Sequence, residues 1–107
     1  MAGTESYEAP ERRFAALWTV RLPILGMVHL PPLPGAPRWG GSMAAVLERA
    51  RADAAALAEG GVDGLIVENY LDAPFYLDRV PPETVAAMAV VAAEVVRTVS
   101  IPVGVNV

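Results

Sequence analysis

Residues capable of acid–base chemistry sit at the ends of apolar runs in this chain. His29 closes Pro23-Ile24-Leu25-Gly26-Met27-Val28, Glu68 and Asn69 close Val62-Asp63-Gly64-Leu65-Ile66-Val67, and Asn106 stands near the end of Ile101-Pro102-Val103-Gly104-Val105-Asn106-Val107. His29 is the only histidine, and an imidazole can give or take a proton near neutral pH. It can equally serve as a capping or hydrogen-bonding side chain in the proline-rich segment that follows. Glu68 ends a strand that is otherwise apolar, where a charge seldom stands without a use. Its carboxylate suits acid–base work or a divalent cation; the plainer reading is an ion pair with Arg38 or Arg79. Asn69 and Asn106 can fix a polar substrate or cap loops. Histidine, glutamate and asparagine together are a weak metal signature, and no metal site is assigned.

Arg38 and Trp39 could supply charge and stacking to a ligand. Beside them, Gly40-Gly41-Ser42 offers backbone N–H groups to a phosphate or simply starts a helix. No GxGxxG or Walker pattern accompanies it. The segment Leu30-Pro31-Pro32-Leu33-Pro34-Gly35 contains a PxxP spacing, but it directly follows a buried strand. It reads as a rigid site loop rather than a docking peptide. Tyr70, Phe75 and Tyr76 read as loop packing rather than a binding platform.

The elements that must position these residues follow from periodicity. Near-continuous apolar runs suit parallel strands buried on both faces. Residues 11–19 form a short helix with Phe14, Leu17 and Trp18 on one face, covering an apolar edge. Ser42 caps a second helix whose core face is Met43, Val46, Leu47, Ala50, Ala54, Leu57 and Ala58, stopped by Gly60-Gly61. Pro82 and Glu83 open a third helix to about Val99. Its expected core face is Val85, Met88, Ala89, Ala92, Val95, Val96 and Val99, leaving Val90 and Val91 on the other side as an oligomer contact or a cover for a neighbouring helix. Residues 1–10 read as a flexible arm, and 11–107 as the folded part.

The order is a helix followed by β-α-β-α-β, which implies a parallel sheet with right-handed crossovers. The expected fold is α/β, the N-terminal part of a TIM (β/α)8 barrel, since three parallel strands alone leave two bare edges. A full barrel takes roughly 250 residues, so the 107 residues here read as a truncated portion. In a barrel, Gly64, Ile66 and Glu68 would face inward with Gly104 and Asn106. For the first strand the rule is ambiguous, because Gly26 and Val28 share one face while His29 shares the other with Leu25 and Met27. Sites of such barrels lie at the carboxyl ends of the strands.

Composition bounds the partners. Twelve acidic and eight basic residues give a net charge of −4, and every basic residue is arginine. No basic run gives a footprint for nucleic acid. Without cysteine there is no disulfide framework or thiol nucleophile. No apolar stretch approaches the roughly 20 residues of a membrane span, and the start lacks the pattern of a signal peptide. A cytoplasmic location is the default.

Several segments in order resemble the BtpA/SgcQ family: residues 23–35 (PILGMVHLPPLPG), 59–70 (EGGVDGLIVENY), 73–76 (APFY), 82–88 (PETVAAM) and 102–107 (PVGVNV). The resemblance covers residues 14–107. It implies a ribulose-phosphate-binding type of barrel more than twice this length, of which this chain carries the first three strands. It implies kinship with enzymes acting on phosphorylated sugars, and a role in photosystem I biogenesis peripheral to a membrane. His29, Glu68, Asn69 and Asn106 match the family's strand-end motifs. Three functions compete: a barrel binding a small phosphorylated ligand, with His29 and Glu68 as the acid–base pair and Asn69, Asn106 and Arg38 binding substrate; a non-catalytic assembly factor for a membrane complex; and an inactive truncated product. The residues assign no cofactor, and a homo-oligomer is one expectation for the Val90/Val91 strip.

Overall fold

Three of the apolar runs are strands, Leu25–His29 (β1), Gly64–Glu68 (β2) and Val103–Asn106 (β3), and they pair in parallel in the order β1-β2-β3. The computed structural model describes residues 9–73, 76 and 78–107. Three helices accompany the sheet: α1 (Pro10–Ala16), α2 (Met43–Glu59) and α3 (Pro82–Thr98). The arm expected over residues 1–10 lies outside the described residues as far as residue 8, and Pro10 already opens α1.

The register fixes the two faces of the sheet. Leu25, Met27 and His29 stand opposite Gly64, Ile66 and Glu68, and Ile66 and Glu68 stand opposite Gly104 and Asn106. These eight share one face, because paired residues in a parallel ladder point the same way. Gly26, Val28, Leu65 and Val67 occupy the other face, and Val28, Leu65 and Val67 are fully buried there beneath the helices. The ambiguity at β1 is thereby resolved. Gly26 faces α2, where a Cβ would stand 3.1 Å from the Leu57 methyl carbons, so its missing side chain admits a helix rather than marking the interior.

Helix α2 begins as the sequence suggests. The Ser42 Oγ accepts a hydrogen bond from the Ala45 N–H at 3.1 Å, satisfying one of the donors that a helix start leaves free. Val46, Ala50 and Ala54 form its buried stripe, with Met43, Leu47 and Leu57 partly buried beside it. The stop falls at Gly61, whose φ of +92° is the left-handed conformation that glycine adopts most easily.

Helix α3 is turned from its expected phase. Thr84, Ala87, Met88, Val91 and Val95 are buried, whereas Val85, Ala89 and Val96 are exposed. Met88 and Val95 are buried as expected, with Val99 partly so, but Val91, expected on the outer side, is fully buried; the helix is apolar on more than one side, so periodicity alone misplaced the centre of the stripe. A polar anchor sets the phase instead: the Thr84 hydroxyl donates to the Pro34 carbonyl at 2.8 Å. Val85, Ala89 and Ala92 then line, with Val105 and Val107, a groove of about 470 Å³ beside the unpaired edge of β3. On the outer surface Glu94 binds Arg51 of α2 at 3.0 Å and Arg97 at 2.8 Å, fastening the two helices together. The Arg97 guanidinium, followed by that of Arg51, holds the Glu94 carboxyl below its ordinary range.

Helix α1 stops at Ala16, earlier than expected, and the chain then turns so that Trp18 covers the amino end of the sheet's open face. Phe14 meets Trp18 edge to face at 5.4 Å. With Leu17, Leu25, Ile66 and Gly104 they enclose an apolar pocket of about 180 Å³. Among the described residues, no helix is long and apolar enough to cross a membrane.

Candidate functional site

Strand register brings His29, Glu68 and Asn106 into one row across the carboxyl rim of the sheet. Glu68 is the middle member, as expected for the central strand. Its Oε1 accepts a hydrogen bond from Asn106 Nδ2 at 2.9 Å. Its Oε2 lies 3.4 Å from His29 Nε2. The ladder continues one step beyond β1, since the Leu30 N–H donates to the Glu68 carbonyl at 3.1 Å. Backbone pairing therefore sets the separation of the histidine and glutamate strand ends.

The row is half open to solvent, with the His29 side chain 41% and that of Glu68 23% accessible. At 3.4 Å the imidazole–carboxylate contact is longer than a strong charge-assisted hydrogen bond, which lies near 2.7–2.9 Å. Contacts of this kind in unliganded sites commonly tighten when substrate binds. A carboxylate held by an amide donor on one oxygen can steady an imidazolium on the other. That is the arrangement by which an imidazole is kept in place while it carries a proton. The alternative ion pairs of Glu68 with Arg38 or Arg79 do not form; its oxygens meet Asn106 and His29.

Asn69 and Arg38 stand apart from this row. Asn69 is buried and gives its Nδ2 to Asp72 Oδ2 at 3.1 Å, while the Asp72 N–H donates to the Asn69 carbonyl at 3.1 Å. Arg38 is exposed and lines a shallow groove with Pro31, Pro32, Trp39 and Ser42 at the start of α2.

Two loops carry the rim, and each is pinned. The proline-rich loop after β1 sinks Leu30 and Leu33 fully into the core, so it is a packed site loop and not a free docking peptide. Its Leu33 N–H donates to the buried Asp72 Oδ1 at 2.7 Å, tying it to the loop after β2. Gly35, at φ +93°, lies so near Thr84 that a Cβ there would stand 2.7 Å from Oγ1. Sequence reasoning overlooked Asp72. The available signal was the Asn69/Asp72 spacing, which is typical of side chains that bond across their own turn.

Tyr70, read from sequence as loop packing, stacks on His29 with ring centroids 4.4 Å apart and planes 16° from parallel. The expected aromatic partner Phe75 lies outside the described residues. Among the described residues, no three His, Cys, Asp or Glu side chains gather as they would to hold a metal ion.

Parallel strands in chain order, α2 and α3 over one face and polar side chains collected at the carboxyl rim place the chain in the β/α class of the TIM-barrel type. The BtpA family model matches residues 20–107, and the chain belongs to that family. It is 54% identical over 85 residues to the photosystem I biogenesis protein BtpA of Synechocystis, an alignment covering 79% of this chain and 30% of the relative. An uncharacterised protein of Pyrococcus abyssi is 51% identical, with 79% of this chain and 32% of the relative covered. A mitochondrial protein of Caenorhabditis elegans, also uncharacterised, is 39% identical over 70% of this chain and 27% of its own length. The chain thus spans about a third of the length of the curated relatives it matches. No solved structure matches it.

Proposed function

We propose that this chain supplies the acid–base part of a strand-end site in a barrel that binds a small phosphorylated ligand. His29 carries the proton, Glu68 steadies the imidazole, and Asn106 orients Glu68 or a polar group of the ligand. The observation that carries this reading is the single row of His29, Glu68 and Asn106 at the carboxyl rim of three adjacent strands, with Glu68 hydrogen-bonded to Asn106 and 3.4 Å from His29. In barrels of this class that rim is where chemistry takes place. Arg38, beside the start of α2, is the cation nearest in kind to a phosphate partner, and Asn69 acts by shaping its loop. The test is the melting temperature of the protein at the full length of its relatives, with a panel of sugar phosphates. A ligand-induced rise that disappears in Glu68→Gln supports the reading. No rise with any sugar phosphate in the unaltered protein overturns it.

A second reading follows from the relative's name. The Synechocystis protein is described as a photosystem I biogenesis factor, so the barrel could act as a binding scaffold for a membrane complex. The apolar groove along Val85, Ala89, Ala92 and Val105 would serve such a role if it stayed open in the longer protein. Flotation of the full-length protein with membrane-complex subunits, unaltered by Glu68→Gln, would favour the scaffold.

A further inference from the structure

We infer that Tyr70 is a positioning residue of the strand-end site, holding the His29 imidazole edge-on to Glu68. The inference rests on the acid–base reading of that pair and adds a residue that the sequence reads only as loop packing.

Three observations lead to it. First, the tyrosine and imidazole rings lie 4.4 Å apart and nearly parallel, a stacked geometry rather than a chance edge contact. Covering one face of the imidazole removes the rotamers that swing it away from the rim, while its edge, with Nε2, stays turned toward Glu68 at 3.4 Å. Secondly, Tyr70 is itself held. It follows Asn69, whose side chain and carbonyl both bond Asp72, and the other Asp72 oxygen accepts from Leu33 of the preceding loop. These contacts are buried, so the turn that presents Tyr70 is fixed by groups shielded from water. Thirdly, Tyr70 is 52% exposed although it is a large aromatic residue. A side chain there for core packing would be covered; this one stacks on the histidine and borders the open rim.

The arrangement has a chemical consequence. An imidazole free to turn about its two side-chain bonds gains little from a carboxylate 3.4 Å away unless its orientation is already set, because ordering a free side chain opposes the contact. The stack supplies that order before any ligand arrives. A ring serves this purpose whether or not it carries a hydroxyl, so phenylalanine should replace tyrosine and leucine should not.

The single histidine makes the test direct. In proton–carbon NMR spectra of the 107-residue chain, the two His29 ring C–H signals should be displaced upfield by the tyrosine ring current. Tyr70→Phe should keep that displacement, and Tyr70→Leu should abolish it while the amide signals of β1 and β2 stay in place. A positioning role makes a further demand that simple packing does not. The change that Glu68→Gln causes in the His29 signals should shrink when Tyr70→Leu is also present. An undiminished change, or His29 signals unmoved by Tyr70→Leu, overturns the inference. Should the leucine variant unfold, cross-relaxation between the His29 and Tyr70 rings in the unaltered chain decides the matter: its presence supports the stack and its absence overturns it. None of these readings depends on ligand binding, so failure of the sugar-phosphate test leaves them distinguishable.

Discussion

Trp18 lies against Gly64 so closely that a Cβ on the glycine would stand 2.5 Å from Cη2 and 2.9 Å from Cζ3 of the indole. The glycine at the start of β2 is therefore the seat of the indole that closes the amino end of the open face. Gly64→Ala should destabilise the chain by about 1–3 kcal/mol, the usual cost of overpacking, as read from the denaturation midpoint. Trp18→Phe withdraws the atoms in conflict and should recover most of that loss in the double variant. Alone, Trp18→Phe should cost little, because the buried indole Nε1 has no hydrogen-bond partner among the described residues and its removal relieves an unpaired donor.

Asp72 bonds Leu33 N–H with one oxygen and Asn69 Nδ2 with the other. Asp72→Ala leaves a buried backbone donor unpaired, at a cost of about 1–3 kcal/mol. The loss should appear as a lower urea midpoint with an unchanged slope, and as faster amide exchange at Leu33. Asp72→Asn retains one acceptor and should be milder.

Gly35 and Gly61 have nearly the same left-handed φ, +93° and +92°, yet differ in surroundings. A Cβ on Gly61 would meet nothing within 4 Å, whereas one on Gly35 would stand 2.7 Å from the Thr84 Oγ1. Gly61→Ala should cost only the backbone strain of about 1–2 kcal/mol. Gly35→Ala should cost more, and part of the excess should vanish in a Thr84→Ala background. Equal losses in the two alanine variants would contradict this account.

Glu94 gives the acid limb of the stability profile a predictable sign. Its folded carboxyl is held below the ordinary value of 4.5 by Arg97 and then Arg51. Folding therefore binds fewer protons here than the unfolded chain does. The contribution is present above pH 4.5 and is lost as pH falls through the lowered folded value. Glu94→Gln should flatten the acid limb and change little at neutral pH in high salt, because the pairs lie near the surface. Acid titration of the unfolding midpoint for both proteins checks it.

Amide exchange should rank the strands. Central β2 is bonded on both sides, and β3 on one, so protection should be greatest at Leu65 and Val67 and weaker along β3. Unprotected amides throughout the 107-residue chain would instead favour the inactive-product reading.

Much of this architecture was legible in the residues. Apolar runs of five to seven residues ending in His29, Glu68 and Asn106, separated by capped helices, lead to a parallel sheet with its polar residues at one rim, and register then joins all three. The rotation of α3 was not legible, because Val85 and Val96 are as apolar as Val91 and Val95; a hydroxyl bond from Thr84 to a loop carbonyl fifty positions earlier decides the phase. The side of β1 that carries His29 depended on Leu57 reaching toward Gly26, a long-range contact that no local pattern encodes. Asn69 has the composition of a ligand-binding residue, and the part it plays in its turn, one amide hydrogen given to Asp72, was not legible from its type alone.

Because spatial order follows chain order from β1 through β2 to β3, no strand waits for a distant partner before it can add to the sheet. During synthesis each new segment can settle on its predecessor as it emerges, with the amino-terminal portion maturing first. The row of His29, Glu68 and Asn106 can then form once β3 has paired with β2. Later portions of a longer polypeptide would be built against a rim already in place.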